Sequence, residues 1–293
     1  MEYMEKTMKI PELLKEDRIT FSLEIFPPKK AINKNKLYNI VRELVPIGPD
    51  YISVTHGAGG KEKDSFTCEI ASTIKKWYNI DTMAHLTCVN TDKAQIETAI
   101  DDLKASGVKN VLALRGDIDP EKGNTGDYEH ANELVSIIKE KGGLNILGAC
   151  YPEGHYESPD LDTDIENLKY KIDAGVEGLI TQLFFDNDRM YRYLDKLDQA
   201  GIDVPIDAGI MPITNLNQIK RTVALSGASL PPEFTKMIGK YEHDPYGLFD
   251  AGMDYAIKQI RELIDHGIDG IHLYIMNSPE VAIYVYDGIK DLL

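Results

Sequence analysis

Residues 145–185 read NILGACYPEGHYESPDLDTDIENLKYKIDAGVEGLITQLFF and hold one complete turn of the chain's architecture. The stretch opens on NILGACY (145–151), a near-continuously apolar run of the kind found in parallel strands covered on both faces. Ile165, Leu168 and Ile172 then recur at helical spacing, and Gly175 follows where a helix wants a left-handed end. GLITQLFF (178–185) begins the next apolar run. Strand, helix, strand is one βα unit, of ~30 residues.

Outward from this unit the pattern repeats. TFSLEIF (20–26), YISVT (51–55), TMAHLTC (82–88) and NVLALRG (110–116) precede it, and PIDAGIM (205–211) and GIHLYIM (270–276) follow. The first seven runs start roughly 30 residues apart; the last gap is longer. Between them Leu37, Ile40, Val41 and Leu44 fall on one helical face, as do Ile96, Ala99, Ile100 and Leu103, and again Leu134, Val135 and Ile138. Gly107, Gly201 and Gly267 close other helices. The stretch 212–269 predicts a helix, an extra helical turn around SLPPEFTKMIGKY and a second long helix before the last strand. Eight alternating strands mean a doubly wound sheet or a closed barrel, and no GxGxxG follows the first strand. The expected fold is α/β: a single (β/α)8 barrel domain over 1–293, with extra helices between strands seven and eight.

Bulk properties narrow the function. Apolar residues make up 43% of the 293, enough for a sizeable core. The 32 basic and 48 acidic side chains give a net charge of −16, which repels a phosphate backbone and speaks against nucleic-acid binding. An anionic ligand must then be met by a local group of Lys, Arg and backbone N–H. Cys68, Cys88 and Cys150 are far apart, and the latter two sit in apolar runs, so they read as reduced cysteines. Without a CxxC pair or an HExxH helix, no metal site is expected. The first residues lack a signal-peptide apolar core and no apolar stretch reaches ~18 residues, so the expectation is a cytoplasmic protein without a membrane span.

In such a barrel chemistry lies at the C-terminal ends of the strands. Polar residues collect there: Glu24; Thr55 and His56; His85 and Thr87; Arg115, Gly116 and Asp117; Tyr151, Glu153 and His155; Gln182; after strand seven, Gln218; and, near the end of strand eight, Asn277. Each has a plainer reading. Glu24 could pair with a barrel Lys or Arg, His85 could be a hydrogen-bonded core histidine, and Arg115-Gly116-Asp117 could be a turn with a surface ion pair. A shared rim on seven of eight strands favours a site, and a buried Glu24 would be a usable proton donor. On the helix after strand five, Asp164, Asn167 and Lys171 share one face. That face is either solvated or a grip for ribose and pyrophosphate.

FSLEIFPPK, YISVTHGAGG, HLTC, ALRGD, YPEGH, NLKYKIDAG, ITQLFFD and GIMPITN, in this order and at these intervals, closely resemble bacterial methylenetetrahydrofolate reductases. The resemblance runs from about residue 18 to about 285. It implies an FAD-containing barrel in which reduced flavin passes a hydride to the one-carbon bridge of methylenetetrahydrofolate, giving methyltetrahydrofolate for methionine biosynthesis. It implies that Glu24 is the general acid that opens the bridging ring, and that Asp117 lies between flavin and folate. By the same resemblance FAD contacts fall on His56, Ala58, His85, Arg115, Gly116, Asp117, Ala131, Tyr151, His155, Asp164, Asn167 and Lys171. Folate contacts fall on Gln182 and Gln218, and a nicotinamide contact on Thr55. NADH or NADPH would be the donor, and family members are often homo-oligomers.

Three positions depart from the family pattern. Ser278 stands where an Arg often contacts folate, Thr222 where an aromatic often packs near the stacked ligand, and Tyr170 replaces a basic residue of the FAD helix. Thr222 opens an alternative in which a partner redox protein feeds the same catalytic subunit. A flavin-free pterin-binding methyltransferase barrel is a further alternative, opposed by the Asp164–Lys171 face and the ALRGD and YPEGH motifs. A non-enzymatic barrel is opposed by the intact Glu24 and Asp117.

Overall fold

A computed structural model describes residues 9–28, 30–56, 66–118, 121 and 123–293, with Ala31 and Leu225 described by backbone alone. The strands are β1 (Thr20–Ile25), β2 (Tyr51–Val54), β3 (Asp81–Thr87), β4 (Asn110–Leu114), β5 (Asn145–Cys150), β6 (Gly178–Thr181), β7 (Ile206–Ile210) and β8 (Gly270–Tyr274). They pair in parallel, each with the next, and β8 returns to β1, so the sheet closes into a (β/α)8 barrel.

A short helix α1 (Ile10–Leu13) precedes the barrel. Helices α2 (Lys34–Leu44), α3 (Thr67–Tyr78), α4 (Lys93–Ala105), α5 (Ala131–Lys141), α6 (Leu161–Ala174) and α7 (Asn187–Gln199) follow β1 to β6 in turn. Between β7 and β8 stand α8 (Leu216–Ser226), α9 (Pro232–Lys240) and α10 (Pro245–Asp265), and α11 (Pro279–Ile289) follows β8. The expected single turn near 229–241 is thus the nine-residue helix α9, started by Pro232 at its first position.

The apolar periodicities become the buried faces. Leu37, Val41 and Leu44 of α2, Ile96, Ile100 and Leu103 of α4, and Leu134, Val135 and Ile138 of α5 are buried in the layer between helices and sheet. Gly107, Gly175, Gly201 and Gly267 all have positive φ at the helix ends, as expected. One boundary differs: β6 ends at Thr181, four residues short of the apolar run. Leu183 and Phe185 instead join Ile213, Ile219 and Phe234 in a satellite cluster under α8 and α9.

The barrel interior has two characters. Met83, Leu112, Leu147 and Ile180 fill one side, with Tyr51 beside them, and Ile10, Leu13 and Leu14 plug that cluster at the end where the strands start. Asn110 fixes the plug by accepting from the Ile10 N–H at 3.2 Å. The other side is polar. On β1 the strand alternation sends Phe21, Leu23 and Ile25 outward into the main core, leaving Ser22 and Glu24 inside. No helix among the described residues is long and apolar enough to cross a membrane.

Candidate active site

The strand C-terminal ends open into a cavity of about 880 Å³. Glu24 stands in its wall, 7% exposed, with Oε2 3.4 Å from His85 Nε2 and 3.8 Å from His272 Nε2. No Lys or Arg among the described residues pairs with it, so the ion-pair reading of Glu24 finds no partner. His85 is held by the Ser53 hydroxyl, 2.7 Å from the same Nε2. Burial pushes the His85 imidazole down to about 4, against the opposing pull of Glu24, so it is neutral at ordinary pH. His85 is therefore both a hydrogen-bonded core histidine and a cavity residue.

Thr55 and His56 continue β2 into the wall. The Thr55 N–H donates to the Ile25 carbonyl at 3.1 Å and its own carbonyl accepts from the Thr67 hydroxyl at 2.8 Å, which ties the end of β2 to β1 and α3. Burial lowers the His56 pKa. Ala58 lies outside the described residues.

The end of β4 supplies Arg115, Gly116 and Asp117 to the same wall. Arg115 makes two parallel bonds to Glu157, at 2.5 and 2.8 Å, and the guanidinium draws the Glu157 carboxyl down to about 2. The turn reading is thus right about an ion pair, although the partner is Glu157 and not Asp117. Gly116 has φ 91°, and a Cβ there would sit 2.7 Å from Val89 Cγ1, so only glycine lets the rim pass this close to the end of β3. Asp117 is exposed.

After β5, Tyr151 and His155 line the cavity, ring edge against ring face with centroids 4.8 Å apart. Burial raises the Tyr151 phenol and lowers the His155 imidazole. Asp164 and Lys171 of α6 stand behind Tyr151, outside the lining. Lys171 donates to the Ala149 carbonyl at 2.7 Å with its ammonium 5.8 Å from the Tyr151 ring centre, and Asp164, buried, accepts from the Ser158 hydroxyl at 3.0 Å. Asn167 is exposed on the same helix, and Ala131 is the half-buried first residue of α5.

Gln182 lines the cavity just past β6. Gln218 does not. Its amide oxygen accepts from the Thr214 N–H and hydroxyl at 2.7 and 2.8 Å, and its amide nitrogen donates to the Pro212 carbonyl at 3.3 Å. Among the departures, Ser278 caps α11, Thr222 is buried with its hydroxyl 3.3 Å from Met211 Sδ, and Tyr170 is 63% exposed.

Asn277, at the end of strand eight, has φ 58°; it accepts from the Phe26 N–H at 2.8 Å and donates to the Phe26 carbonyl at 3.0 Å, clamping the exit of β1 beside Glu24. Two residues of the site were not singled out from sequence. Tyr274 lines the cavity and donates to the Thr181 carbonyl at 2.7 Å. His272 lies beneath Glu24, two residues before Tyr274 on β8, and a polar residue two places from a rim residue in an apolar strand is the signal that would have found it.

The family model for methylenetetrahydrofolate reductase matches residues 9–290. The chain belongs to the methylenetetrahydrofolate reductase family. It is an oxidoreductase of folate metabolism, 35% identical to the 5,10-methylenetetrahydrofolate reductase of Pectobacterium carotovorum over 90% of this chain and 88% of that one. It is 33% identical to the Escherichia coli protein of the same description, with the same coverages. The Arabidopsis thaliana methylenetetrahydrofolate reductase (NADH) 1 is 34% identical over 94% of this chain, which spans 49% of that protein. Among solved structures, an uncharacterized Clostridium thermocellum protein that binds two copies of 5-methyl-5,6,7,8-tetrahydrofolic acid superposes with a TM-score of 0.68 at 12% identity, over 97% of this chain and 98% of that one. That likeness is one of fold.

Proposed function

We propose that this reductase binds FAD noncovalently in the cavity at the strand ends and reduces 5,10-methylenetetrahydrofolate to 5-methyltetrahydrofolate with electrons from NAD(P)H. The observation that carries the reading is Glu24: a carboxyl 7% exposed, in the cavity wall, faced by two imidazoles and by no cation of the described residues. A carboxyl in the cavity wall stands where it can hand a proton to a bound ligand.

The cavity's about 880 Å³ suits a cofactor with a substrate stacked on it. Gly116 offers a rim where a Cβ would meet Val89, and Arg115 lines the wall nearby. Asn167 offers α6's exposed polar group to the nucleotide's ribose and pyrophosphate, which Lys171 and Asp164 would join only by leaving the Ala149 carbonyl and Ser158, with His155, Tyr151, His56, His85, Ala58 and Ala131 as further contacts. Flavin, when bound, supplies the hydride chemistry. The chain's residues do the rest. Glu24 gives its proton to the folate nitrogen that leaves the bridging carbon, Asp117 acts between flavin and folate, and Gln182 orients the pterin. Gln218 would join only if its amide left Thr214 and Pro212. Thr55 is the nicotinamide contact, and the Arabidopsis relative's name, which specifies NADH, supports a direct donor.

The test is the visible spectrum of the purified protein, followed by anaerobic NADH and then NADPH. A yellow protein bleached by either supports the reading. A protein that stays colourless after reconstitution with FAD overturns the flavin assignment. Bleaching by dithionite but by neither nucleotide moves the electron source to a partner redox protein.

A further inference from the structure

Beneath Glu24 lies a buried polar chain that the reaction above does not use. Ser22 on β1, Asp207 on β7 and His272 on β8 are each 0% exposed. Ser22 Oγ donates to Asp207 Oδ2 at 2.9 Å and lies 2.6 Å from His272 Nδ1. The Tyr51 hydroxyl of β2 donates to the same Asp207 oxygen at 2.6 Å. His272 Nε2 faces Glu24 Oε2 at 3.8 Å, and neither that nitrogen nor Asp207 Oδ1 has a hydrogen-bond partner among the described residues. Asp207, Ser22, His272 and Glu24 thus form one line from the barrel interior to the cavity wall.

The protons of this line can be counted. Ser22 has one hydroxyl hydrogen, and an ionised Asp207 at 2.9 Å takes it in preference to the Ile271 carbonyl at 3.4 Å. The 2.6 Å contact between Ser22 and His272 is then a hydrogen bond only if Nδ1 carries the hydrogen. A neutral imidazole with its hydrogen on Nδ1 has a bare Nε2. That bare nitrogen is what faces Glu24. A carboxylate there meets a lone pair and is disfavoured; a carboxylic acid meets an acceptor. Asp207 starts the sequence because it is ionised: burial moves it up only to about 6, and a proton on Oδ1 would find no acceptor among the described residues.

We propose that Asp207, through Ser22, sets the tautomer of His272 and thereby presents Glu24 with an acceptor for the proton it donates. Asp207, Ser22 and His272 are positioning residues in this scheme, which rests on the proton-donor reading of Glu24. The other titratable groups facing Glu24 are His85 of β3 and Tyr274 of β8, with His56 beyond His85; those near Asp207 are Tyr51 of β2, Tyr274 and Asp50, just before β2.

Asp207→Asn tests the scheme with almost no change of shape. Its amide N–H₂, set in place of Oδ2, donates one hydrogen to Ser22 and the other to the Tyr51 oxygen; Ser22 turns its hydrogen to His272 Nδ1, and the imidazole hydrogen moves to Nε2. Ser22→Ala breaks the link while leaving Tyr51 on Asp207, and serves if the first variant folds poorly. The tautomer is read by long-range ¹H–¹⁵N NMR of histidine-labelled protein at pH 7.5, with His272 assigned by its loss in His272→Gln. The expected native signal has Nδ1 protonated and Nε2 bare, with the hydrogen moved to Nε2 in both variants. A native Nε2–H, or an unchanged tautomer in the variants, overturns the proposal.

Activity gives the second readout. Single-turnover folate reduction by pre-reduced holoenzyme should slow about ten-fold at pH 7.5 in Asp207→Asn, with the alkaline limb of its pH profile moved down by about one unit and flavin reduction unchanged. A limb that does not move overturns the link to Glu24. Full folate reduction by Glu24→Gln would instead refute the proton-donor reading, and the NMR result would stand separately.

Discussion

Replacing His85 by Gln should change how stability depends on pH, in a direction set by the burial of the site. The native imidazole titrates near 4 because burial disfavours its charged form, against ~6.5 in an unfolded chain. As pH falls below 6.5 the unfolded chain takes up a proton that the folded protein refuses, so stability is lost between about 6.5 and 4. From pH 7.5 to 5.0 the loss is about 2 kcal/mol. Asp207 works the other way. Its folded pKa, raised by burial to about 6, means that the folded protein binds a proton first as pH falls, so stability is gained below 6, by about 1 kcal/mol at pH 5.0. The gain offsets only part of the loss, so on their account the native protein is about 1 kcal/mol less stable at pH 5.0 than at pH 7.5. His85→Gln exposes the imbalance. Losing the Ser53 contact lowers its stability at both pH values, and that cost cancels in the difference. Urea unfolding at pH 7.5 and 5.0 should show the variant about 2 kcal/mol better off at pH 5.0 than the native pH dependence predicts. An identical pH dependence in the two proteins would refute the neutral, desolvated His85.

Other substitutions test single contacts. Asn277→Ala removes both bonds to Phe26 and should cost about 1–3 kcal/mol in denaturant unfolding, with folate reduction impaired more than flavin reduction because the β1 exit beside Glu24 is loosened. Gly116→Ala at φ 91° with Val89 2.7 Å away should cost about 2 kcal/mol or more, and Val89→Ala in the same chain should recover only the steric part, read as the change in Tm. Thr222→Phe overfills a buried position against Met211 and should lower stability by about 1–3 kcal/mol, so its effect on NADH saturation must be read on the folded fraction.

The barrel was legible because its signals are periodic. Parallel strands covered on both faces give unbroken apolar runs, and Leu134, Val135 and Ile138 are spaced by the helix they form. The end of β6 was not legible, since Leu183 and Phe185 are as apolar as strand residues yet bury against α8 and α9. The rim cluster was visible as polar residues at strand ends, and the structure places Glu24, Thr55, His56, His85, Arg115, Gly116, Asp117, Tyr151, His155 and Gln182 around one cavity. What sequence could not show is who holds whom. Arg115 could be seen, but its bond to Glu157 spans a loop whose path only the fold sets. Gln218 could be seen, but not that its amide is spent on Thr214 and Pro212. Ser22, Asp207 and His272 sit inside apolar strands, the first strand and the last two, and only closure of β8 and β7 onto β1 brings them into one line.

The proton-donor role of Glu24 in flavin-dependent folate reduction is tested most directly by one single-turnover measurement. Native protein and Glu24→Gln, each reconstituted with FAD and reduced anaerobically, are mixed with methylenetetrahydrofolate in a stopped-flow instrument, and flavin reoxidation is followed beside methyltetrahydrofolate formation. The expected result is normal flavin content and normal reduction in the variant, with reoxidation by folate slowed ~10²–10⁴-fold. Reoxidation of Glu24→Gln at the native rate would contradict the account.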